Sequence, residues 1–209
     1  MSEHPNQGGD ARRQSPSVAR NREPILAQLR ERLAPQARVL EIASGTGEHA
    51  VYFTANWPGL TWQPSDPDPD ARASIAAWRA HGPGDRIAPP AALEVGTTPW
   101  PVSGPFDAVV CCNMIHIAPW QACIDLLAGA AGHLDPGGWL MLYGPFFVTG
   151  QTSAASNLRF DADLRGRHPD WGIRALDDVA AQARIHGFAA PEAVAMPANN
   201  LCVWFERLR

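Results

Sequence analysis

Apolar and polar positions along the chain change period several times, from helical spacing to short apolar runs. Apolar residues recur at helical spacing from Val18 to Leu33, which predicts an amphipathic helix ahead of the first strand. The predicted strands then cover 38–42, 60–63, 91–95, 106–112 and 139–143, and the helices between them cover 47–55, 68–80 and 119–133. Repeated strand–helix units of this kind favour an α/β fold with a parallel sheet.

The last third of the chain departs from this alternation. Residues 144–156 are rich in Gly, Ser and Thr and predict a long loop, a candidate lid or substrate wall, before a helix around 158–167. A further helix and two strands, at 176–186, 192–196 and 201–207, complete the pattern. We therefore predict a doubly wound, mainly parallel seven-stranded sheet with an antiparallel last strand.

The length and the N-terminal composition indicate one domain. A chain of 209 residues fits a single hydrophobic core. Residues 1–16 carry almost no large apolar side chain and are predicted to be a disordered lead-in, which leaves 17–209 as the domain. No signal-like apolar segment and no long apolar run is found in the sequence, so we expect no membrane association and a cytoplasmic location.

Charge and residue usage narrow the possible partners. The chain has 21 acidic and 17 basic residues, a net charge of -4, and no basic cluster, so nucleic acid is not an expected partner. Every basic residue is Arg, and the absence of Lys excludes Schiff-base chemistry and a P-loop lysine. The four cysteines lack the spacing of a metal site, and no metal is predicted. A small-molecule substrate fits these features; they specify no oligomeric state.

A glycine-containing turn follows the first predicted strand. Residues 39–47 have the sequence Val-Leu-Glu-Ile-Ala-Ser-Gly-Thr-Gly. The spacing also matches a dinucleotide fingerprint that ends at Ala50, with Asp66 about twenty residues later. However, Glu41 and Glu48 border the turn, and their carboxylates would repel a pyrophosphate while favouring the cationic groups of S-adenosylmethionine. S-adenosylmethionine is therefore the favoured cofactor, with a nicotinamide cofactor as the alternative.

Other residues at strand ends complete the predicted cofactor site, because ligands of doubly wound sheets bind beyond the carboxyl ends of the strands. Asp66 could accept hydrogen bonds from two ribose hydroxyls or could cap the turn that follows it. Glu94 and Val95 end the third predicted strand, where an adenine pocket is expected. The predicted cofactor-binding residues are Asn21, Glu41, Ala43, Ser44, Gly45, Thr46, Gly47, Asp66, Glu94, Val95, Asn113 and Met114.

A second group of residues is predicted to face the substrate. His116 could abstract a proton from an acceptor, or it could be an ordinary loop residue. If the last strand returns antiparallel, the turn that contains Asn199 and Asn200 lies at the ligand edge, although paired asparagines also suit a purely structural turn. Arg20, Asn21, Tyr143 and His116 could converge on the same opening. The predicted catalytic residues are His116, Tyr143, Asn199 and Asn200.

Several segments resemble known sequence motifs. Those at 41–47, 106–113 and 134–140 resemble motifs of class I methyltransferases. Those at 15–16, 20–25, 156–161, 171–174 and 196–201 resemble the domain-of-unknown-function 938 family, and animal methyltransferase-like 26 proteins look similar. The resemblance implies the class I fold and an S-adenosylmethionine cofactor, but it implies no substrate. The chain departs from the usual methyltransferase turn at Ala43, where the first glycine is expected.

The sequence thus predicts an S-adenosylmethionine-dependent methyltransferase that acts on a small molecule through an unspecified nucleophilic atom. Two alternatives stay open at this point. One is a nicotinamide-dependent oxidoreductase, which shares the glycine spacing. The other is a protein that binds S-adenosylmethionine without catalysis and serves as an interaction module.

Overall fold

A computed structural model of the chain describes residues 10–208. Its strands are β1 (Arg38–Ile42), β2 (Thr61–Pro64), β3 (Phe106–Cys112), β4 (Leu134–Gly144), β5 (Phe146–Phe147), β6 (Arg174–Ala175), β7 (Glu192–Met196) and β8 (Asn200–Glu206). Its α-helices are α1 (Pro16–Arg32), α2 (Glu48–Asn56), α3 (Pro69–His81), α4 (Trp120–His133), α5 (Ala155–Arg167) and α6 (Leu176–Ile185). Two short 3-10 turns lie at Met114–His116 and Pro197–Asn199.

Six of these strands form the main sheet, in the order β2-β1-β3-β4-β8-β7. The strands β2, β1, β3 and β4 pair in parallel, whereas β8 runs antiparallel to both β4 and β7. The predicted doubly wound α/β fold with an antiparallel last strand is therefore confirmed. A small separate pairing joins β5 to β6 beyond the end of β4.

The predicted strand at 91–95 does not form, so this sheet has six strands and not seven. Two isolated parallel pairings remain beside β2, Trp62 with Ile87 and Ser65 with Ala91. Pro89 and Pro90 lie between the two pairings. Because proline has no N–H to donate, a continuous hydrogen-bonded strand is interrupted there. The segment still covers the outer edge of β2, where Asp66 N donates to Ala91 O at 3.0 Å.

Both faces of the sheet are covered by helices, as the near-continuous apolar runs of the strands require. Alternate side chains of a strand point to opposite faces. In β1, Leu40 and Ile42 are buried in the core that includes residues of α4 and α6, whereas Val39 is buried in the core that includes residues of α1 and α2. The polar turn after β1 is therefore held on a rigid, fully covered strand.

The segment ahead of α1 has no regular secondary structure, but it is tied to the domain by hydrogen bonds. Ser15 N donates to Glu48 Oε2 at 2.7 Å, and Trp78 Nε1 of α3 donates to Arg13 O at 2.8 Å. Two residues within the predicted disordered lead-in over 1–16 thus have backbone groups with partners on two helices, and the lead-in itself stays a prediction. The start of that prediction lies outside the described residues.

Within 10–208, no helix has the length and apolar character needed to cross a bilayer. The same described residues contain no group of three or more His, Cys, Asp or Glu side chains arranged to hold a metal ion. The four cysteines are free, and Cys112 is the one that is only partly buried. The buried positions of Cys111, Cys123 and Cys202 agree with a packing role in the core.

Candidate active site

The carboxyl ends of β1, β3 and β4 lie side by side at one edge of the sheet. Ile42 is level with Cys111, and Cys112 is level with Tyr143. Just beyond them, Asn113 N donates to Tyr143 O at 2.8 Å, which extends the alignment past the end of β3. The fold therefore gathers residues from distant parts of the chain at the edge where ligands of doubly wound sheets bind.

The turn between β1 and α2 has three residues in the left-handed backbone region, namely Ala43 (φ 53°), Gly45 (φ 59°) and Gly47 (φ 89°). A Cβ at Gly45 would meet no atom within 4 Å, so this glycine borders open space. A Cβ at Gly47 would lie 2.8 Å from Ile75 Cα, so Gly47 permits the close approach of α2 and α3. Ala43 has a Cβ, and a Cβ makes the left-handed backbone conformation unfavourable.

A cavity of about 160 Å³ opens over this turn, and we call it the polar cavity. It is lined by Ser15, Ser17, Val18, Asn21, Glu41, Ala43, Ser44, Gly45, Thr46, His49, Cys112 and Asn113. Seven of these residues are predicted cofactor ligands: Asn21, Glu41, Ala43, Ser44, Gly45, Thr46 and Asn113. The sequence reasoning placed Asn21 of α1 at this turn but missed Ser15, Ser17 and Val18, because no local pattern shows which other residues at the start of α1 face it. It also missed His49 and Cys112. His49 lies two residues after the predicted ligand Gly47, and Cys112 directly precedes the predicted ligand Asn113.

A second cavity, of about 290 Å³, lies on the other side of Ala43, and we call it the apolar cavity. It is lined by Ile42, Ala43, Pro67, Leu93, Glu94, Val95, Met114, Ile117, Ala118, Pro119 and Ala122. Ala43 lines both cavities, so they adjoin one another. The predicted adenine-pocket residues Glu94, Val95 and Met114 are all here. Glu94 is the one ionisable residue in the lining, and the other walls suit a flat apolar ring.

Asp66 is buried beside the glycine turn, 6% exposed, and lines neither cavity. Its Oδ2 accepts a hydrogen bond from Gly45 N at 2.9 Å, and its Oδ1 accepts one from Asp68 N at 3.0 Å. Burial raises the pKa of the Asp66 carboxyl, while these two N–H groups act in the opposite direction. The capping role is therefore present in the structure, and the ribose-binding role stays a prediction. Gly47 likewise shapes the turn without lining a cavity.

A chain of buried polar side chains runs from β1 to α1 beneath the polar cavity. Trp62 Nε1 donates to Glu41 Oε2 at 2.9 Å, and His49 Nδ1 lies 3.4 Å from Glu41 Oε1. The other ring nitrogen of His49 lies 2.9 Å from Asn21 Oδ1. Because Glu41 is only 1% exposed, these partners offset the loss of water around its carboxylate. This series of contacts also holds Asn21 against the glycine turn.

The polar contacts continue to the end of β4 through Tyr143. Asn200 Nδ2 lies 3.2 Å from the Tyr143 hydroxyl. Burial raises the pKa of this hydroxyl, and hydrogen bonding by Asn21 and Asn200 lowers it in part. Tyr143 and Asn200 are therefore in contact, and their predicted role toward a substrate stays a prediction.

A third cavity, of about 240 Å³, lies beside the turn between β7 and β8, and we call it the hairpin cavity. It is lined by Phe146, Val148, Gln151, Thr152, Ser153, Ala154, Asn157, Ala195, Met196, Asn199, Asn200 and Leu201. Because Gly144 pairs with Leu201, the turn lies at the carboxyl edge of the parallel strands, as predicted. The predicted wall-forming loop at 144–156 supplies half of the lining.

His116 does not take the exposed position that proton abstraction would need. Its ring is 1% exposed, lies edge-on to Phe146 at 5.2 Å, and has neither nitrogen hydrogen-bonded to any residue within 10–208. Burial and the nearby charge of Arg174 lower its pKa to about 3. His116 lines none of the three cavities. The predicted base role is therefore not supported, because the imidazole is a weak proton acceptor with no open path to a substrate.

Two other features lie away from this group of cavities. A hollow of about 280 Å³ near Leu33 and Phe106 lies at the opposite edge, where β3 begins. Ligands of doubly wound sheets bind at the carboxyl edge, so this hollow is not part of the candidate site. Arg20 is exposed and borders none of the three cavities, so its predicted place at the opening is not supported.

The sheet order, the glycine turn and the cavities at the carboxyl edge define the class I methyltransferase fold. Residues 12–207 match the family model described as "Protein of unknown function (DUF938)", and the chain belongs to this family. The family resemblance noted in the sequence is thereby confirmed. The similarity to methyltransferase-like 26 proteins stays a prediction.

Solved methyltransferase structures share this fold. A putative O-methyltransferase from Nostoc punctiforme PCC 73102 aligns with a TM-score of 0.78 at 13% identity, over 91% of this chain and 58% of that chain. An O-methyltransferase family protein from Burkholderia thailandensis aligns at 0.76 and 19% identity, over 92% and 57%. Human N-acetylserotonin methyltransferase, solved in complex with SAM, aligns at 0.75 and 13% identity, over 92% and 53%. This chain therefore spans little more than half the length of these structures.

Proposed function

We propose that this protein is an S-adenosylmethionine-dependent methyltransferase that acts on a small-molecule acceptor. The observation that carries the proposal is the pair of adjoining cavities on either side of Ala43, one polar and one apolar. A cofactor with an amino-acid tail at one end and an adenine ring at the other needs two such environments. Both cavities lie at the carboxyl edge of the sheet, where this fold binds ligands.

The side chains around the polar cavity fit the charges of this cofactor. Glu41 lines the polar cavity and Glu48 begins α2 just after the glycine turn, and a cationic ammonium and sulfonium would be attracted to these carboxylates. The same carboxylates disfavour the pyrophosphate of a nicotinamide dinucleotide. When bound, S-adenosylmethionine would supply a methyl group already activated for displacement by its attachment to a sulfonium. The oxidoreductase alternative is therefore not favoured.

The residues of this chain would then act mainly by position. Asn21, Glu41 and Ser44 would hold the polar end of the cofactor, and Leu93, Val95 and Met114 would enclose its ring. Tyr143, Asn199 and Asn200 would orient the acceptor. Alignment of two reactants can account for roughly 7–11 kcal/mol of a barrier, so a dedicated base is not required.

Calorimetry on the full chain tests this proposal. S-adenosylhomocysteine should bind, NAD should not, and Asn21→Ala should weaken S-adenosylhomocysteine binding by about tenfold because a polar wall of the cavity is lost. Gln28→Ala, on the same helix but outside the cavity, is the matched control and should bind as the parent does. Circular dichroism checks that both variants fold. Binding of NAD without binding of S-adenosylhomocysteine would overturn the proposal.

The interaction-module alternative needs a different measurement. If S-adenosylmethionine binds but no acceptor in a broad panel causes release of S-adenosylhomocysteine, the non-catalytic interpretation gains support. Release with any small-molecule acceptor in the panel establishes catalysis.

A further inference from the structure

The hairpin cavity lies next to the proposed cofactor site, at the same edge of the sheet. Cys112, which lines the polar cavity, pairs with Tyr143 at the end of β4. The next residue, Gly144, pairs with Leu201, which lines the hairpin cavity, and Asn200 of that cavity lies 3.2 Å from the Tyr143 hydroxyl. The two cavities therefore lie beside neighbouring residues of adjacent strands.

The lining of the hairpin cavity contains no ionisable side chain. One part of the wall is apolar, from Phe146, Val148, Met196 and Leu201, and the rest is mainly uncharged and polar. A ligand that brought a carboxylate or an ammonium group into this space would lose water without gaining a charged partner. The walls therefore favour an uncharged ligand with an apolar body.

Two asparagine side chains in this wall have their amide orientation set by their partners. Asn157 Nδ2 donates to Asn199 O at 3.0 Å, and Asn200 Nδ2 donates to Pro197 O at 3.0 Å. A backbone carbonyl can only accept a hydrogen bond, so each amide nitrogen must face it and each Oδ1 faces away. Neither Oδ1 accepts a hydrogen bond from the part of the chain that the structure describes. Asn157 is 8% exposed and lines the cavity, so its unpartnered oxygen is an available acceptor on the cavity wall.

Side chains of the loop before α5 add hydrogen-bond donors to the same wall. Gln151 carries an amide N–H group, and Thr152 and Ser153 carry hydroxyl groups. A hydroxyl group is the simplest uncharged group that can both donate to an amide oxygen and accept from an N–H.

From these contacts we infer that the hairpin cavity binds the methyl acceptor, and that the acceptor is an uncharged hydroxyl compound with an apolar body. That the bound molecule is the methyl acceptor rests on the proposed function. Binding in the cavity can be measured without the cofactor, so the two can fail separately.

Nuclear magnetic resonance of the full chain tests the inference with three probes of similar shape. 4-Ethylphenol is uncharged and carries a hydroxyl, 4-hydroxyphenylacetate adds a carboxylate, and 4-ethylanisole has no hydroxyl hydrogen. We expect 4-ethylphenol to shift the side-chain amide signals of Asn157 and Asn200, and each of the other probes to bind about tenfold more weakly. Equal or tighter binding of the carboxylate probe, or no shift with 4-ethylphenol, would overturn the inference.

A matched pair of variants on β7 shows where the probe binds. Ala195 lines the hairpin cavity, whereas Ala193 lies two residues earlier on the same side of the strand and does not line it. Ala195→Phe should abolish the shifts caused by 4-ethylphenol, and Ala193→Phe should retain them. Both variants should keep the parent affinity for S-adenosylhomocysteine. If Ala195→Phe retains the shifts, the assignment of the probe to the hairpin cavity is refuted. If the parent protein does not bind S-adenosylhomocysteine, only the proposed function is refuted.

Discussion

The buried His116 makes the stability of the folded protein depend on pH in a defined direction. Its pKa is lowered from 6.5 to about 3, mainly by burial and further by the charge of Arg174, while the backbone of Gly172 and the charge of Asp161 act in the opposite direction. Between these two values the unfolded chain binds a proton at this site and the folded chain does not. Stability is therefore lost as the pH falls from 6.5 towards 3.

The size of this effect follows from the shift. Each pH unit within the window costs about 1.4 kcal/mol of unfolding free energy, so His116 alone should cost about 2 kcal/mol at pH 5 relative to pH 7.5. His116→Gln removes the titrating group but keeps a polar side chain of similar size. Any fixed cost of the substitution is present at both pH values and cancels in the difference.

Denaturant unfolding at pH 7.5 and pH 5, followed by tryptophan fluorescence, measures the effect. The parent protein should lose about 2 kcal/mol more than His116→Gln between the two conditions. His81→Gln is the control, because His81 is exposed and folding does not remove it from water. Equal losses in the parent protein and in His116→Gln would refute the reasoning, because they would mean that His116 is protonated without cost in the folded state.

Two further predictions concern the glycine turn. Ala43→Gly should stabilise the fold by about 0.5–1 kcal/mol, because relief of the left-handed strain exceeds the added flexibility of the unfolded chain; thermal unfolding that shows lower stability would contradict this. Gly47→Ala should destabilise the fold by about 2–4 kcal/mol, because the new Cβ would be strained by the positive φ and would also contact Ile75. Gly45→Ala should cost only about 1–2 kcal/mol, because its Cβ would meet no atom and only the backbone strain applies. Denaturant unfolding of the pair checks the order, and equal losses would show that the contact with Ile75 is easily relieved.

The order of elements was predictable because it depends on local patterns. Apolar periodicity located β1, β3, β7, β8 and the helices that flank them, and the glycine turn was evident from Ala43 to Gly47. The strand expected at 91–95 failed for a local reason that the sequence also displays, namely Pro89 and Pro90. Isolated pairings with β2 remain on either side of these two prolines.

Most of the predicted residues that line the candidate site lie at strand ends or on the glycine turn. Glu41, Ser44 and Asn113 follow from the rule that ligands of this fold bind at the carboxyl edge. His116 occupies such a position in the sequence, yet its exposure depends on the packing of Phe146 and Arg174, which come later in the chain. Burial is a property of the folded assembly, so the pKa of His116 could not be inferred from its neighbours in sequence.

The sequence by itself determined the class of fold, the position of the turn and the residue types available for binding a cofactor, because these depend on periodicity and on spacing along the chain. Only the tertiary structure decided that Ser15, Ser17 and Val18 cover the turn, that His49 joins Asn21 to Glu41, and that the hairpin cavity has uncharged walls. Each of these features joins segments far apart in the chain. Contacts of this kind are set by the packing of helices and strands against one another, which local patterns do not specify.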